Sequence, residues 1–152
     1  MILYIRKLFV YKINNIIMIT IYNEIKGKIF YKYEKSDERI DFYCSDGYTY
    51  SLYHQQDCCE NVTIDNIEGD INDLMDSPIL QAEESSNRDV SGSYESATWT
   101  FYKFATSKGY VTIRWIGVSN GYYSESVSFV KSDECNLSEL RINQIKKIDS
   151  KI

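Results

Sequence analysis

The segment Tyr53–Glu60, with the sequence YHQQDCCE, holds the densest group of side chains that could do chemistry. It contains the single histidine of the chain, a pair of adjacent thiols and two carboxylates. Imidazole, thiolate and carboxylate are the ligands that zinc takes in proteins, and a thiol beside an imidazole is the pair that cysteine hydrolases use. The candidate residues for such chemistry are His54, Asp57, Cys58, Cys59 and Glu60.

The spacing of this group argues against both kinds of site. On an extended strand His54 and Cys58 point to one side, and Asp57 and Cys59 point to the other. His54 would lie roughly 13 Å from Cys58 along the strand, too far to activate that thiol without a bend. No second Cys/His pair supplies the remaining ligands of a zinc site. We therefore expect no metal, no cofactor and no catalytic residue.

The four cysteines predict free thiols. Cys58 and Cys59 are neighbours, and adjacent cysteines rarely bridge because a disulfide strains the peptide between them. Cys44 and Cys135 complete the set without a disulfide-framework spacing. We expect reduced thiols, as in a cytosolic protein, with one of the adjacent pair buried as a small apolar side chain.

Negative charge is concentrated in one segment of the chain, which has a net charge of −5. Residues 54–95 contain eleven acids and one base, Arg88, so this segment carries −10. The balance argues against a general nucleic-acid binder, and the run lacks the ligand positions of a calcium-binding EF-hand loop. An acidic face that binds a partner and a merely solvated face both remain open. The candidate partner-binding residues are Asp65, Glu68, Asp70, Asp73, Asp76, Glu83 and Glu84.

Alternation of apolar and polar residues predicts a mainly β, antiparallel domain. Residues 27–53 read as a meander of three strands with a hairpin turn at Asp46-Gly47. The last third reads as three strands separated by Lys108-Gly109 and Asn120-Gly121. These strands are expected at Ala97–Ser107, Tyr110–Val118 and Tyr122–Val130.

The segment between these two blocks is less regular. It predicts strands at Val62–Ile67 and Ile79–Glu83, a helical turn at Ile71–Met75 capped by Asp70, and a mobile loop over Glu84–Glu95. The expected fold class is mainly β (α+β): an antiparallel meander sheet of about six to eight strands, a short helical turn and a C-terminal helix.

A two-residue turn at Lys108-Gly109 sets the register expected for the last third. Lys103 then opposes Arg114 on the outer face, and like charges directly opposed are unfavourable. Glu125, from the next strand, is expected to neutralise this pair, although an anion site at Lys103 and Arg114 is the alternative. Phe104 opposes Ile113 and Tyr102 opposes Trp115 on the other face. That face is the expected core: Tyr102, Phe104, Thr106, Val111, Ile113 and Trp115.

The two ends of the chain fall outside the strand pattern. Residues 1–17 are apolar but interrupted by charged and amide side chains, and no run reaches the ~20 apolar residues of a transmembrane helix. We interpret residues 1–17 as a leader outside the core, with Met18 as the native start. Residues 18–152 are expected to form a single domain, in which residues 132–152 are a C-terminal helical extension with lysines near its end.

Two long stretches, Tyr53–Glu84 and Thr98–Phe129, resemble an uncharacterised family of small phage and prophage proteins. The first contains the Tyr-His-x-Gln-Asp-Cys-Cys-Glu core at Tyr53–Glu60, and the second contains the Gly-Tyr-Tyr-Ser-Glu sequence at Gly121–Glu125. The resemblance covers roughly Met18 to Val130 and is lost at both ends of the chain. It carries no activity and no residue role, but it implies a viral accessory protein in the cytoplasm of a bacterial host.

Three functions from different classes are compatible with these patterns. The leading one is a non-enzymatic antagonist of a host defence protein or ribonucleoprotein complex, such as an anti-CRISPR protein, that acts through its acidic surface. The first alternative is a sponge for a nucleotide immune signal, with Lys103 and Arg114 facing the phosphates. The second alternative is an enzyme that uses the His54–Glu60 group.

Overall fold

The computed structural model describes residues 21–135 and, further along the chain, residues 141, 142, 145, 146 and 148–151. The strands in this part of the chain are β1 (Phe30–Lys35), β2 (Arg39–Cys44), β3 (Thr49–Tyr53), β4 (Asn61–Glu68), β5 (Gln81–Arg88), β6 (Ser96–Thr106), β7 (Gly109–Ser119) and β8 (Ser128–Lys131). They form two antiparallel sheets, the first with the order β1-β2-β3-β8 and the second with the order β4-β7-β6-β5.

The meander of three strands predicted over residues 27–53 is confirmed, since β1 pairs with β2 and β2 with β3. Its second turn contains Gly47 at a φ of 88°, which favours glycine. The expectation of one meander sheet is wrong. The chain leaves the first sheet after β3, builds the second sheet from β4 to β7, and returns to pair β8 with β3.

The two sheets face each other across one apolar core. The ring centroid of Phe104 in β6 lies 6.0 Å from that of Phe42 in β2 and 5.8 Å from that of Phe129 in β8. Burying a side chain of this kind stabilises the fold by about 1.5–3 kcal/mol. The residues expected on the core face of β6 and β7 are all buried: Tyr102, Phe104, Thr106, Val111, Ile113 and Trp115.

The expected register of β6 on β7 is displaced by two residues, because the turn lies at Ser107-Lys108. Thr106 fixes this turn by accepting the backbone N–H of Lys108 at 3.2 Å. Phe104 therefore opposes Val111, and Lys103 opposes Thr112 rather than Arg114. A shift of two keeps every side chain on its predicted face.

The prediction of a third strand in this block, at Tyr122–Val130, is wrong for most of that range. Only Ser128–Lys131 is a strand, and it belongs to the first sheet. Residues 120–127 instead form a connection, called here the cleft loop, that passes close to β7. A Cβ built on Gly117 would lie 2.4 Å from the carbonyl oxygen of Glu125, so this close approach requires glycine.

The middle segment is more regular than its sequence indicates. The strand expected at Val62–Ile67 is confirmed as β4, and Asp70 caps a 3-10 turn at Ile71–Leu74 by accepting the N–H of Asn72. The mobile loop expected over Glu84–Glu95 is wrong in its first half. Residues up to Arg88 belong to β5, which pairs with β6 along its whole length.

A short helix at residues 21–25, which the strand pattern does not predict, buries Ile21 and Ile25 in the core. The leader over residues 1–17 lies outside the described residues. Of the C-terminal helix expected over residues 132–152, the described positions 141, 142, 145, 146, 148 and 149 are helical, and the remaining positions after residue 135, apart from the turn at 150 and 151, lie outside the described residues. Within the described part of the chain, no helix is long and apolar enough to cross a membrane.

Candidate functional site

The His54–Glu60 group forms a loop that its own side chains hold together. The side chain of Glu60, 0% exposed, accepts the backbone N–H of Asp57 at 2.6 Å and of Cys58 at 3.1 Å. His54 Nε2 donates to the same carboxylate at 2.8 Å, and His54 Nδ1 donates to the carbonyl oxygen of Ser126 at 2.7 Å. Both imidazole nitrogens therefore lie within hydrogen-bond distance of an oxygen acceptor.

Charge and hydrogen bonding make this pair a structural clamp. The hydrogen bond from His54, followed by that from the backbone of Asp57, lowers the pKa of Glu60 to about 2. A general base needs a nitrogen lone pair that is free to accept a proton, and His54 has both nitrogens engaged. Among the described residues, no three His, Cys, Asp or Glu side chains converge as a metal site would require.

The two adjacent cysteines differ from expectation in both bonding and burial. Cys58 and Cys59 are joined in a disulfide, and both are exposed. The chain bends here instead of continuing β3, because Glu60 collects the backbone N–H groups that precede it, so the strand-based prediction of one buried thiol does not apply. Cys44 is a buried free thiol whose pKa burial raises to about 11, and Cys135 is an exposed free thiol.

The acidic residues proposed to bind a partner do not share one face. Asp65 and Glu68 lie at one edge of the second sheet, on β4, whereas Glu83 and Glu84 lie at the opposite edge, on β5. Successive strand residues face opposite sides, so Glu83 points outward and Glu84 inward. The three that stay together surround the 3-10 turn at one end of the domain: Asp70, Asp73 and Asp76.

Lys103 and Arg114 line a groove of about 490 Å³ on the outer face of the second sheet. Arg114 Nε donates to Asp65 at 2.7 Å, and its guanidinium lies 5.4 Å from the ring centroid of Trp99. Glu125, expected to neutralise these cations, lies elsewhere. The ion pair with Asp65 supplies that neutralisation instead.

A second depression, of about 450 Å³, lies between the inner face of β5 and β6 and the cleft loop. Sequence reasoning missed this cleft. Tyr102 Oη donates to the carbonyl oxygen of Val127 at 3.0 Å and so fixes the end of the loop against β6. Polar side chains dominate the lining: Glu84, Ser86, Arg88, Ser96, Thr98, Thr100, Gly121, Tyr123, Ser124, Glu125, Ser126 and Val127.

A family match covers almost all of this architecture. A model of the family DUF7448, described as a domain of unknown function, matches residues 15–129. The chain belongs to the DUF7448 family. No curated protein and no solved structure gives a significant match. The matched part of the DUF7448 domain includes the His54–Glu60 loop and the whole cleft, whereas the phage setting indicated by the motif resemblance stays a prediction.

Three charged residues line the cleft of this DUF7448 domain. Burial raises the pKa of Glu84, although Tyr22 Oη donates to its carboxylate at 2.6 Å. Burial alone would also raise the pKa of Glu125, but hydrogen bonds from hydroxyls such as those of Ser119 and Thr98 hold it below its ordinary value. Arg88 is the one cation among the described residues that line the cleft.

A signal for the cleft is present in the sequence. On β6 the apolar inward positions Tyr102 and Phe104 are preceded, at the same period of two, by Ser96, Thr98 and Thr100. On β5 the inward series continues from Ala82 through Glu84, Ser86 and Arg88. An inner face that changes from apolar to polar halfway along two paired strands predicts a wet cavity at that end. The prediction of a loop over residues 84–95 hides this signal, because residues 84–88 belong to β5.

Proposed function

We propose that the protein is a non-enzymatic binding protein that holds a small, neutral, hydroxyl-rich molecule of the carbohydrate class in the cleft. The observation that carries this proposal is the composition of the lining. Six of the twelve described lining residues are serine or threonine, and charged groups stand among them. Specific ligand sites are concave and few, and convergent polar groups fix the ligand's orientation.

The lining groups match the hydrogen bonding of a sugar. Each sugar hydroxyl both donates and accepts hydrogen bonds, and a serine or threonine hydroxyl can also act as donor or as acceptor. Carboxylates such as Glu84 and Glu125 can accept from neighbouring hydroxyl pairs, and the guanidinium of Arg88 can donate to ring or hydroxyl oxygens. Tyr123, half-buried in the lining, offers an apolar ring with a polar tip for stacking.

The charge balance of the cleft supports a neutral ligand over a nucleotide. Two carboxyl groups, Glu84 and Glu125, stand against one guanidinium, Arg88, among the described lining residues. The carboxylates would repel a phosphate group and would lose hydrating water when it binds, and the cleft lining offers one guanidinium to offset both costs. The nucleotide-sponge alternative is therefore weaker at this cleft than a neutral polyol.

The carboxyl groups of Glu84 and Glu125 belong to different positions along the cleft. Thr98, which donates to Glu125 Oε1 at 2.9 Å, pairs with Arg88, and Arg88 lies four residues along β5 from Glu84. At a strand rise of roughly 3.3 Å per residue, the backbone positions 84 and 88 lie about 13 Å apart. The two carboxyl groups can therefore accept hydrogen bonds from different hydroxyl groups of one ligand.

An affinity panel tests this proposal. Calorimetric titration with neutral mono- and disaccharides should identify a binder, and nucleoside monophosphates should bind at least tenfold more weakly. Glu125→Gln and Arg88→Gln should each weaken the best saccharide by roughly tenfold, since one hydrogen bond to a charged group is worth about 1.5 kcal/mol or more. Lys103→Gln on the outer face is the matched control and should leave the affinity unchanged. Preference for the nucleotides, or no saccharide binding at all, would rule out the proposal.

A second candidate function is the antagonist of a host defence protein or ribonucleoprotein complex. The observation that favours it is the acidic end of the domain, where Asp70 and Asp76 are exposed and Asp73 is half-exposed within one short segment. Among the described residues, Asp76 is the non-glycine residue with a positive φ, which is 55°. Residues in such sparsely populated backbone conformations cluster at functional sites. Such a role would use a surface separate from the cleft.

A further inference from the structure

We propose that Cys58 and Cys59 form a thiol–disulfide exchange site whose state sets the order of the cleft loop. The substrate class is a dithiol reductant, and the partner reaction is its oxidation to a disulfide. The regulatory meaning rests on the proposed function of the cleft, but the exchange chemistry and the ordering of the loop do not. The site stands apart from the carboxyl and hydroxyl groups that line the cleft.

The first observation is the exposure of the disulfide. Cys58 and Cys59 are both exposed, on a loop whose backbone is fixed from below by the buried Glu60. A soluble dithiol can therefore reach both sulfur atoms. Thiol–disulfide exchange requires access of this kind, and exposed disulfides are the labile or regulatory ones.

The second observation is a continuous series of hydrogen bonds from the disulfide to the cleft. The backbone N–H of Cys58 donates to Glu60 Oε2 at 3.1 Å, and His54 Nε2 donates to Glu60 Oε1 at 2.8 Å. His54 Nδ1 donates in turn to the carbonyl oxygen of Ser126 at 2.7 Å. Ser126 lines the cleft, so the loop that carries the disulfide and the cleft loop share the clamp formed by His54 and Glu60.

The exchange step balances with a dithiol as the co-reactant. One thiolate of the reductant attacks one protein sulfur, the Cys58–Cys59 bond breaks, and the other cysteine leaves as a thiolate that takes up a proton. The second thiol of the reductant then displaces the first cysteine and closes the reductant's own disulfide. Two electrons and two protons pass to Cys58 and Cys59.

Opening the disulfide should loosen the cleft loop. While the bond is closed, the side chains of two adjacent residues are tied together, which limits the backbone of Cys58 and keeps its N–H on Glu60. Once the bond opens, that restraint is lost and the carboxylate keeps fewer fixed donors. The hydrogen bond from His54 to the carbonyl oxygen of Ser126 weakens as a result, so the cleft loop becomes less ordered. A less ordered loop binds a ligand less tightly.

Alkylation and hydrogen exchange together test this inference on the full-length protein without any ligand. Before reduction, alkylation in denaturant should label two cysteines, Cys44 and Cys135, and after dithiothreitol it should label four. Backbone amides at residues 121–127 should then exchange at least about threefold faster. Amides of the turn between β1 and β2 are the internal control and should not change.

Two variants separate the proposed site from a general effect of reductant. The double variant Cys58→Ser/Cys59→Ser should exchange like the reduced protein and should not respond to dithiothreitol, whereas Cys135→Ser should behave like the wild type. Four labelled cysteines before reduction, or equal exchange at residues 121–127 in both states, would overturn the inference. Because no saccharide is present, failure of the cleft to bind a sugar is a separate result.

Discussion

Glu60 accepts hydrogen bonds from three groups of its own loop, and His54 completes the clamp by reaching Ser126, 72 residues further along the chain. The residue types of this loop are plain in the sequence. Their partners are not, because alternation along one strand says nothing about a contact made over such a separation. The spacing in the sequence thus argues against a reactive group, but only the fold shows which atoms His54 contacts.

The pKa of Glu60 makes the clamp testable by pH. Its folded value of about 2 lies below the ordinary 4.5, so its contribution is complete above pH 4.5 and is lost as the pH falls towards 2. We expect the wild-type free energy of unfolding to fall over that range. Glu60→Gln should be less stable at neutral pH and should show a shallower fall, measured by urea unfolding from pH 2 to pH 7. An unchanged slope would contradict the clamp.

Alternation of apolar and polar residues identifies which side chains of a strand face the core, but it does not give the register between neighbouring strands. The β6–β7 register is displaced by two residues, and every core residue predicted on these strands is still buried. The sequence predicts a two-residue turn at Lys108-Gly109. Gly109 instead lies in β7 with Asp73 beside it, and Thr106 fixes the turn.

Gly117 tests the path of the cleft loop over β7. Gly117→Ala should lower the free energy of unfolding by about 2–3 kcal/mol, because the new Cβ would lie 2.4 Å from the Glu125 carbonyl oxygen. Gly109→Ala is the matched control, and its Cβ would meet only the end of the flexible Asp73 side chain, at 3.0 Å. It should cost less than about 1 kcal/mol. Equal losses in chemical unfolding would show that the cleft loop does not pack on β7.

The concentration of negative charge in residues 54–95 is visible in the sequence, but the distribution of these acidic side chains over the folded surface is not. In the fold, Asp65 forms an ion pair with Arg114, Glu84 lines the cleft, and Asp70 caps the 3-10 turn. The acidic belt is thus a property of the chain that the two-sheet fold distributes. What remains clustered is the acidic end around Asp73 and Asp76.

Neutralising that acidic end tests the antagonist role. Asp73→Asn with Asp76→Asn should lower the survival of phage on a defended host and slow association with a captured partner several-fold at low salt. Asp70 is left intact because it caps the 3-10 turn. Asp37→Asn with Glu38→Gln removes the same charge from the exposed turn after β1 and is the control. Equal effects of the two pairs, or no effect of either, would exclude the role.

Truncation tests where the folded domain begins. A chain that starts at Met18 should keep its Tm within a few degrees, as the leader interpretation predicts. A chain that starts at Gly27 should lose more than roughly 5 °C, because burial of Ile21 and Ile25 is removed. Calorimetry measures the Tm of each chain. A loss of similar size for both chains would show that the first 17 residues stabilise the core.

Locating the ligand on the protein tests whether the cleft binds a neutral polyol. A titration of 15N-labelled protein with the best saccharide of the panel should shift amide signals of β5, β6 and residues 121–127, including those of Ser86, Thr98 and Ser126. Signals of the outer groove, at Phe101, Lys103 and Thr112, should stay in place. Shifts confined to the outer groove, or shifts spread evenly over both faces, would contradict the claim.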